Sequence, residues 1–203
     1  MDRDGWNQRY AHADLVWTAE PNRTFATEVG DLSPGTALDL GAGEGRNAIW
    51  LAQQGWTTTA VDFSDVALRK ARQLAEASGV QVETIVADVT DFTPAPQAYD
   101  LVALIFLHLP GDERTEVHRR AAAAVAAGGT LVILGHDTTN LTDGHGGPQD
   151  PDVLFTPDDV ASDLDPTELT IVTARRVHRT VDTPDGERTA IDALVTARRD
   201  QSG

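Results

Sequence analysis

The sequence predicts an α/β fold in which a doubly wound, mostly parallel sheet of seven strands lies between two layers of helices and ends in an antiparallel hairpin. From Thr36 onward, segments with strand and helix character alternate, which is typical of a parallel sheet covered on both faces. The strand predicted over residues 100–107 is apolar on both faces, as in the centre of such a sheet. Residues 170–198 instead alternate apolar and polar side chains around a turn, which predicts the hairpin.

The elements of the parallel part follow in order from apolar spacing and capping signals. Short apolar segments predict strands at residues 36–40, 57–61, 80–86, 100–107 and 130–134. Helices are predicted between them over residues 46–54, 64–78 and 111–127. Ser64 is a suitable N-cap, while Gly55 and the pair Gly128-Gly129 are suitable C-terminal stops.

The C-terminal part begins with residues 135–157, which are rich in Gly, Asp, Asn, Thr and Pro and show no periodicity. A structureless loop of this length is uncommon in a compact domain, so it indicates a function, with a plain connector as the alternative. A short helix is predicted over residues 157–164. The hairpin strands follow at residues 170–181 and 188–198, around the turn Thr183–Gly186.

Charge and composition exclude several classes of protein. The 203 residues include 16 Lys and Arg against 32 Asp and Glu, a formal charge of −16, which repels nucleic acid. The absence of cysteine excludes disulfides, thiolate catalysis and thiolate metal sites. The longest apolar run, residues 101–107, is much shorter than the ~20 residues of a membrane span. We therefore expect a cytoplasmic protein without membrane contact; base composition or adaptation to high salt would explain its acidity.

The sharpest motif is the sequence DLGAGEGRN at residues 39–47, between the first strand and the first helix. Its glycines let the backbone turn tightly and approach a ligand, and the helix N-terminus offers free N–H groups. A dinucleotide fingerprint would need a glycine at position 46, which is Arg46, and Glu44 would repel a pyrophosphate. No Gly-Lys-Ser/Thr follows, so a P-loop is excluded. An adenosine ligand with an amino-acid tail and no phosphate fits better.

Three acids end three successive predicted strands, at the sheet edge where open α/β sheets bind ligands. Asp39 is placed to face an ammonium group, Asp62 to accept hydrogen bonds from ribose hydroxyls, and Asp88 to bind the exocyclic amine of adenine. Each acid alone would also suit a helix cap or a turn.

With these motifs the chain resembles the class I S-adenosylmethionine-dependent methyltransferases, which implies a Rossmann-like fold. The segments that carry the resemblance are residues 38–46, 60–64, 87–88, 99–101 and 127–131. The chain is most similar to the small bacterial branch with tellurite-resistance and thiopurine methyltransferase-like proteins, through Trp6, Tyr10, Trp17, Pro21-Asn22, residues 45–47 and Gly55-Trp56. The resemblance implies S-adenosyl-L-methionine as cofactor, bound by Asp39, Gly41, Gly43, Arg46, Asn47, Asp62, Phe63, Asp88, Val89 and Trp17.

The candidates for catalysis are His108, past the fourth parallel strand, and His136, followed by Asp137, past the fifth. A base is needed only if the methyl acceptor must lose a proton, and a neutral imidazole can accept one near pH 7. Both histidines could equally be structural. We expect no metal, because the spacing of His136, Asp143, His145 and Asp150 fits no zinc or calcium site.

These observations predict a methyltransferase that acts on a small molecule, as a monomer or homodimer. The alternatives are an NAD(P)-dependent oxidoreductase and a protein that binds S-adenosylmethionine without turnover. We expect one domain, with cap helices in residues 1–30, a cofactor-binding core at 36–134, the long loop at 135–157 and the hairpin at 168–199. The N-terminal aromatic residues either cover the cofactor, since an aromatic face attracts a sulfonium, or simply pack on the body of the protein.

Overall fold

The computed structural model describes residues 2–201, which form one seven-stranded sheet with helices on both faces. The strands are β1 Thr36–Leu40, β2 Thr57–Asp62, β3 Val82–Val86, β4 Tyr99–Ile105, β5 Val125–His136, β6 Thr170–Thr183 and β7 Gly186–Arg198. The helices are α1 Arg3–His12, α2 Arg23–Val29, α3 Arg46–Gln53, α4 Asp65–Ala77, α5 Gly111–Ala124, α6 Asn140–Asp143 and α7 Pro157–Asp163. No helix in residues 2–201 is long and apolar enough to cross a membrane.

The strand order is β3-β2-β1-β4-β5-β7-β6. Strands β1 to β5 pair in parallel, and β7 pairs antiparallel with both β5 and β6. The predicted fold class, a doubly wound sheet with a C-terminal antiparallel hairpin, is confirmed. Because the chain passes from β3 at one edge to β4 beside β1, the connections diverge between β1 and β4, which is where such sheets bind ligands.

Two apolar clusters cover the two faces of the sheet. Alternate residues of a strand point to opposite faces. Leu38 of β1 and Val102 of β4 pack with α5 and α7, whereas Ala37 and Leu101 pack with α2 and α3. The three-layer arrangement therefore follows from strands that are apolar on both sides.

The junction of α5 and β5 differs from the prediction of a helix through residue 127. The helix ends at Ala124, and Val125 already pairs with Tyr99 of β4. The alanines before Gly128 favour a helix, but sheet pairing overrides this propensity. The third strand also starts later than predicted, because the N–H of Val80 closes the end of α4 by donating to the carbonyl of Ala75.

The prediction of a structureless loop over residues 135–157 is wrong in part. Strand β5 continues to His136, and the segment then contains α6 and a 3₁₀ turn at Pro151–Val153. Buried Asn140 explains the order of this segment. Its Oδ1 accepts a hydrogen bond from the N–H of Ile191 at 2.7 Å, and its Nδ2 donates to the carbonyl of Gly146 at 2.8 Å.

Helices α5 and α7 are joined by the carboxylate of Asp163, whose side chain is only 7% exposed. It accepts hydrogen bonds from Arg114 and His118, both at 2.9 Å, and from Thr115 at 2.6 Å. Burial alone would raise the pKa of this carboxyl, but the hydrogen bonds from these three side chains outweigh burial and lower it to about 2.

We expect Asp163→Asn to reduce the free energy of unfolding by about 1–2 kcal/mol at pH 7. A carboxyl whose pKa is lowered by folding stabilises the protein above its unfolded pKa, and that stabilisation is lost as the pH falls from about 4 to about 2. Urea unfolding at pH 7 and at pH 3 measures both effects. Asp65→Asn, in the exposed pair with Arg69, is the matched control and should change stability by less than about 0.5 kcal/mol. An equal loss at both pH values would contradict the assignment.

Candidate functional site

The glycine loop between β1 and α3 adopts a conformation that only glycine takes readily. Gly41, Gly43 and Gly45 have φ of +73°, +55° and +78°. A Cβ at Gly45 would lie 2.8 Å from the Cβ of Ala71 on α4, and one at Gly41 would lie 3.0 Å from Leu107, which follows β4. The loop is therefore tightly enclosed between α4 and the end of β4.

Asp62, the last residue of β2, fixes this loop. Its Oδ2 accepts a hydrogen bond from the N–H of Gly43 and its Oδ1 accepts one from the N–H of Ser64, both at 2.8 Å. Burial raises the pKa of Asp62, although the two backbone hydrogen bonds oppose this effect. Each oxygen has a further lone pair with which it can accept a hydrogen bond from a ligand.

Asp39 on β1 is buried, and its Oδ2 has no hydrogen-bond partner within residues 2–201. Burial, and then the charge of Asp62, raise the pKa of the Asp39 carboxyl to about 7. The positive charge of Arg46 opposes the rise. A buried acceptor without a donor is costly, so this oxygen is suited to receive a cationic N–H group from a ligand.

The N-terminal segment, residues 5–17, covers the glycine loop with aromatic and cationic side chains. A Cβ at Gly43 would lie 2.8 Å from the hydroxyl of Tyr10 and 3.9 Å from Nε1 of Trp17. The guanidinium of Arg9 lies 5.1 Å from the Trp6 ring and 5.2 Å from the Trp17 ring. Arg46 lies 5.9 Å from the ring of Trp17.

Glu44 and Lys70 hold this segment in place. The buried carboxylate of Glu44 accepts hydrogen bonds from the N–H groups of Val16 and Trp17, at 3.0 and 3.1 Å. Lys70 Nζ lies 3.2 Å from Glu44 Oε1. It also donates hydrogen bonds to three backbone carbonyls of the segment, those of Tyr10 at 2.5 Å, Ala13 at 2.6 Å and Asp14 at 3.1 Å. Glu44 thus faces the N-terminal segment, a role that the sequence analysis did not foresee.

The other expected cofactor residues lie around the same edge of the sheet. Asn47 Oδ1 accepts a hydrogen bond from the N–H of Asn22, the N-cap of α2, at 2.9 Å. Phe63 lies half-buried directly after β2. Asp88 caps its own turn through Thr90, and Val89 belongs to an apolar cluster of the core.

His108 and His136 lie together at the ends of β4 and β5. Their rings stack with centroids 5.4 Å apart, and Nε2 of His108 accepts a hydrogen bond from the N–H of His136 at 3.1 Å. Burial, and then the nearby His136, lower the pKa of His108 to about 4. His108 is therefore a neutral imidazole with one nitrogen already engaged.

His136 has a buried carboxylate behind it. Its Nδ1 lies 3.1 Å from Oδ1 of Asp192 on β7, which is an ion-pair distance without aligned hydrogen-bond geometry. Arg179 of β6 donates to the other oxygen of Asp192 at 2.9 Å and lies 5.4 Å from the ring of Phe106. Asp137, the neighbour considered in the sequence analysis, instead pairs with Arg176 at 2.9 Å.

The backbone of Phe106, the residue directly after β4, is strained. Its φ is +58°, a conformation that costs a non-glycine residue about 1–3 kcal/mol. The ring lies 4.9 Å from that of His136. Among residues 2–201 no group of three or more acidic or histidine side chains is arranged to hold a metal ion.

Comparison with known proteins agrees with the motifs of this edge. Residues 37–129 match the sequence profile of the family described as Methyltransferase domain. A 2-heptyl-1-hydroxyquinolin-4(1H)-one methyltransferase of Mycobacteroides abscessus is 28% identical over 106 residues. The alignment covers 51% of this chain and 47% of that protein, so the chain spans about half the length of this relative.

Two solved structures share the fold over nearly the whole chain. One, from work on the conversion of a disulfide bond into a thioacetal group during echinomycin biosynthesis, has a TM-score of 0.77 and 22% identity, and the match covers 99% of this chain and 93% of that one. TehB from Haemophilus influenzae has a TM-score of 0.73 and 17% identity, with 97% and 66% covered. The predicted resemblance to methyltransferases is confirmed by the family match over residues 37–129, and the two solved structures, both under 25% identical, show the shared fold.

Several residues of the site were not predicted from the sequence. Lys70 and the true role of Glu44 were missed because their contacts span 26 residues and more. Asp192 and Arg179 were missed because both lie in the hairpin, where their alternation was read only as strand periodicity. The only lysine of the sequence was a signal that could have been followed.

We expect Lys70→Met to loosen the N-terminal segment, because it leaves the Glu44 carboxylate buried without its cation. Amide exchange in residues 5–17 should become about 10- to 100-fold faster, which corresponds to about 1–3 kcal/mol. The measurement is hydrogen exchange read by mass spectrometry.

Arg69→Met is the matched control, since Arg69 is exposed on the same helix and, among residues 2–201, pairs only with Asp65. It should leave exchange in residues 5–17 unchanged. If both variants behave alike, the clamp at Lys70 does not hold the segment.

Proposed function

We propose that this chain transfers a methyl group from S-adenosylmethionine to a small-molecule acceptor, a proposal that the match of residues 37–129 to the methyltransferase-domain family supports. The observation that carries this proposal is the unpartnered, buried oxygen of Asp39 beside the glycine loop. The amino-acid tail of the cofactor offers an ammonium group, which supplies the donor that this oxygen lacks.

The residues of the loop suit the remaining parts of the cofactor. The free lone pairs of Asp62 accept hydrogen bonds from the ribose hydroxyls, and Asp88 takes the exocyclic amine of adenine. Arg46 faces the carboxylate of the amino-acid tail, because it lies within the electrostatic reach of Asp39 and stacks on Trp17. Gly41 and Gly43 let the backbone lie against the ligand. Asn47, Phe63 and Val89 complete the lining of the proposed cofactor site.

The aromatic cover of the N-terminal segment suits a sulfonium cofactor. The ring of Trp17 attracts cations on its face, as the positions of Arg9 and Arg46 demonstrate. When bound, the cofactor supplies an activated methyl group. Alignment of the acceptor and exclusion of water by this cover then provide much of the rate acceleration.

The acceptor is proposed to be a small organic molecule held between Phe106, His136 and Arg179. The Mycobacteroides abscessus relative is by name a methyltransferase of a hydroxyquinolone, which supports an acceptor of similar size. The charge of −16 supports the further proposal that the protein has no nucleic-acid partner. We also propose that it is cytoplasmic and is a monomer or a homodimer.

Calorimetry with S-adenosylmethionine tests cofactor binding directly. A screen of small acceptors, read by release of S-adenosylhomocysteine, tests turnover. Binding without turnover would favour a cofactor-binding protein that is not an enzyme. Binding of NADH in place of S-adenosylmethionine would favour the oxidoreductase.

We expect the affinity for S-adenosylmethionine to rise about tenfold between pH 5.5 and pH 7.5. The reason is that the pKa of Asp39 is raised to about 7 in the free protein, and an ammonium ligand binds the ionised form. Below pH 7 the carboxyl is mostly protonated, so binding must displace its proton. Calorimetry in buffers of different ionisation enthalpy detects that proton.

Asp39→Asn should lower the affinity at pH 7.5 by at least about tenfold and abolish its pH dependence over this range. Asp91→Asn, at an exposed position after β3, is the matched control and should retain both. An unchanged pH dependence in Asp39→Asn would show that another group titrates.

A further inference from the structure

The acceptor side of the site contains a chain of three side chains that no cofactor contact uses. Arg179 donates to Asp192 at 2.9 Å, and Asp192 lies 3.1 Å from Nδ1 of His136. Asp192 is completely buried, and His136 is 11% exposed. Within residues 2–201, Nε2 of His136 has no hydrogen-bond partner and is not fully buried.

We propose that His136, oriented by Asp192 and Arg179, is the general base of the reaction, and that the acceptor is therefore a hydroxyl group that is neutral at pH 7. This inference rests on the proposed methyltransferase function. It assigns Asp192 and Arg179 as positioning residues and restricts the acceptor to compounds with a neutral hydroxyl group. An acceptor that is already a free nucleophile, such as a thiolate or a tertiary amine, has no use for a base at this place.

The geometry distinguishes His136 from His108. Nε2 of His108 is engaged by the backbone N–H of His136, so His108 holds the main chain at residue 136 in position. The ring of His136 is also held. A Cβ at Gly147 would lie 2.6 to 2.8 Å from Cδ2, Nε2 and Cγ of His136, so the backbone of Gly147 lies against the ring.

The charge of Asp192 determines which nitrogen of His136 carries the proton. Burial alone would raise the pKa of Asp192, but His136 and Arg179 lower it, so the carboxyl stays ionised. An ionised carboxylate beside Nδ1 favours the tautomer with the proton on that nitrogen. The lone pair on Nε2 is then free to accept a proton.

The charged and titratable groups that face His136 come from three elements. They are Asp192 on β7, Arg179 on β6 and His108 after β4. The carboxylate of Asp137 faces Arg176 and the N–H of Thr139 instead.

The position of His136 relative to the glycine loop is suitable for a base that acts on an acceptor beside the cofactor. Phe106 contacts His136, and the next residue, Leu107, packs against Gly41. The charge of Arg179 also reaches Arg46, which stands at the N-terminus of α3. His136 and the glycine loop therefore border one region of the sheet edge.

The step balances without a further reactant. The proton of the acceptor hydroxyl moves to Nε2 of His136, and the oxygen electron pair forms the bond to the methyl carbon. The bond between that carbon and sulfur breaks with its electron pair left on sulfur. The products are the methyl ether, S-adenosylhomocysteine and an imidazolium, which the negative charge of Asp192 stabilises.

The first test needs no acceptor. Long-range proton–nitrogen NMR spectra of the full chain with bound S-adenosylhomocysteine report the tautomer of each of its six histidines. We expect His136 to carry its proton on Nδ1. Asp192→Asn should populate the other tautomer of His136. A proton on Nε2, or a spectrum insensitive to Asp192→Asn, would overturn the proposal.

The second test compares two sets of acceptors, phenols that are neutral at pH 7 and ring-nitrated counterparts that are already ionised. With neutral phenols, His136→Gln should lower kcat about 10²- to 10⁴-fold and Asp192→Asn about 10- to 100-fold. With ionised phenols both variants should stay within about twofold of the unchanged protein, which a merely structural defect would not produce. Equal losses with both sets, or methylation of neither set, would overturn the proposal.

Two variants serve as controls. Asp137→Asn removes a buried carboxylate that also pairs with an arginine of β6, and His178→Gln removes an exposed histidine of β6. Both should retain the kcat ratio between the two acceptor sets.

Calorimetry with S-adenosylmethionine separates a failure of the proposed function from a failure of the assignment of His136 as the base. If the unchanged protein binds no S-adenosylmethionine, the proposed function fails. If it binds the cofactor but His136 shows the wrong tautomer or no acceptor selectivity, only the assignment of the base fails.

Discussion

The carboxylate of Asp62 is the contact on which the geometry of the ligand-binding edge depends. It accepts backbone hydrogen bonds from both Gly43 and Ser64, so a single side chain fixes the glycine loop and the start of α4. Ser64 in turn caps α4 through the N–H of Ala67 and contacts the side chain of Asn7. The loop, α4 and α1 are thus positioned together, and their common support is a buried charge at the end of β2.

Most of the fold was accessible from the sequence because its signals are local. Each parallel strand is a short apolar segment, and Ser64 and Gly55 mark helix ends by their own backbone preferences. The errors arose where pairing with a distant strand decides the outcome. Val125 belongs to β5 because it faces Tyr99 across the sheet, and Asn140 orders its segment through Ile191, 51 residues away.

The candidate site was only partly accessible for the same reason. The acids at the ends of β1 and β2 could be located because a strand end is visible in the sequence. Asp192 could not, since an acid within an alternating strand is normally a solvent-facing residue, whereas this one is fully buried by partners on two other strands. The left-handed backbone of Phe106 has no sequence signal either, because a non-glycine residue adopts it only under tertiary constraint.

The environment of Lys70 has a practical consequence. It is the only lysine of the chain, and its amine is surrounded by three backbone carbonyls and the Glu44 carboxylate. A charged amine held in this way is a poor nucleophile, since acylating reagents need the neutral form with a free lone pair. The rate at which Lys70 is acylated therefore reports how often the N-terminal segment lifts from the glycine loop, and acylation of this one lysine measures the frequency of that opening.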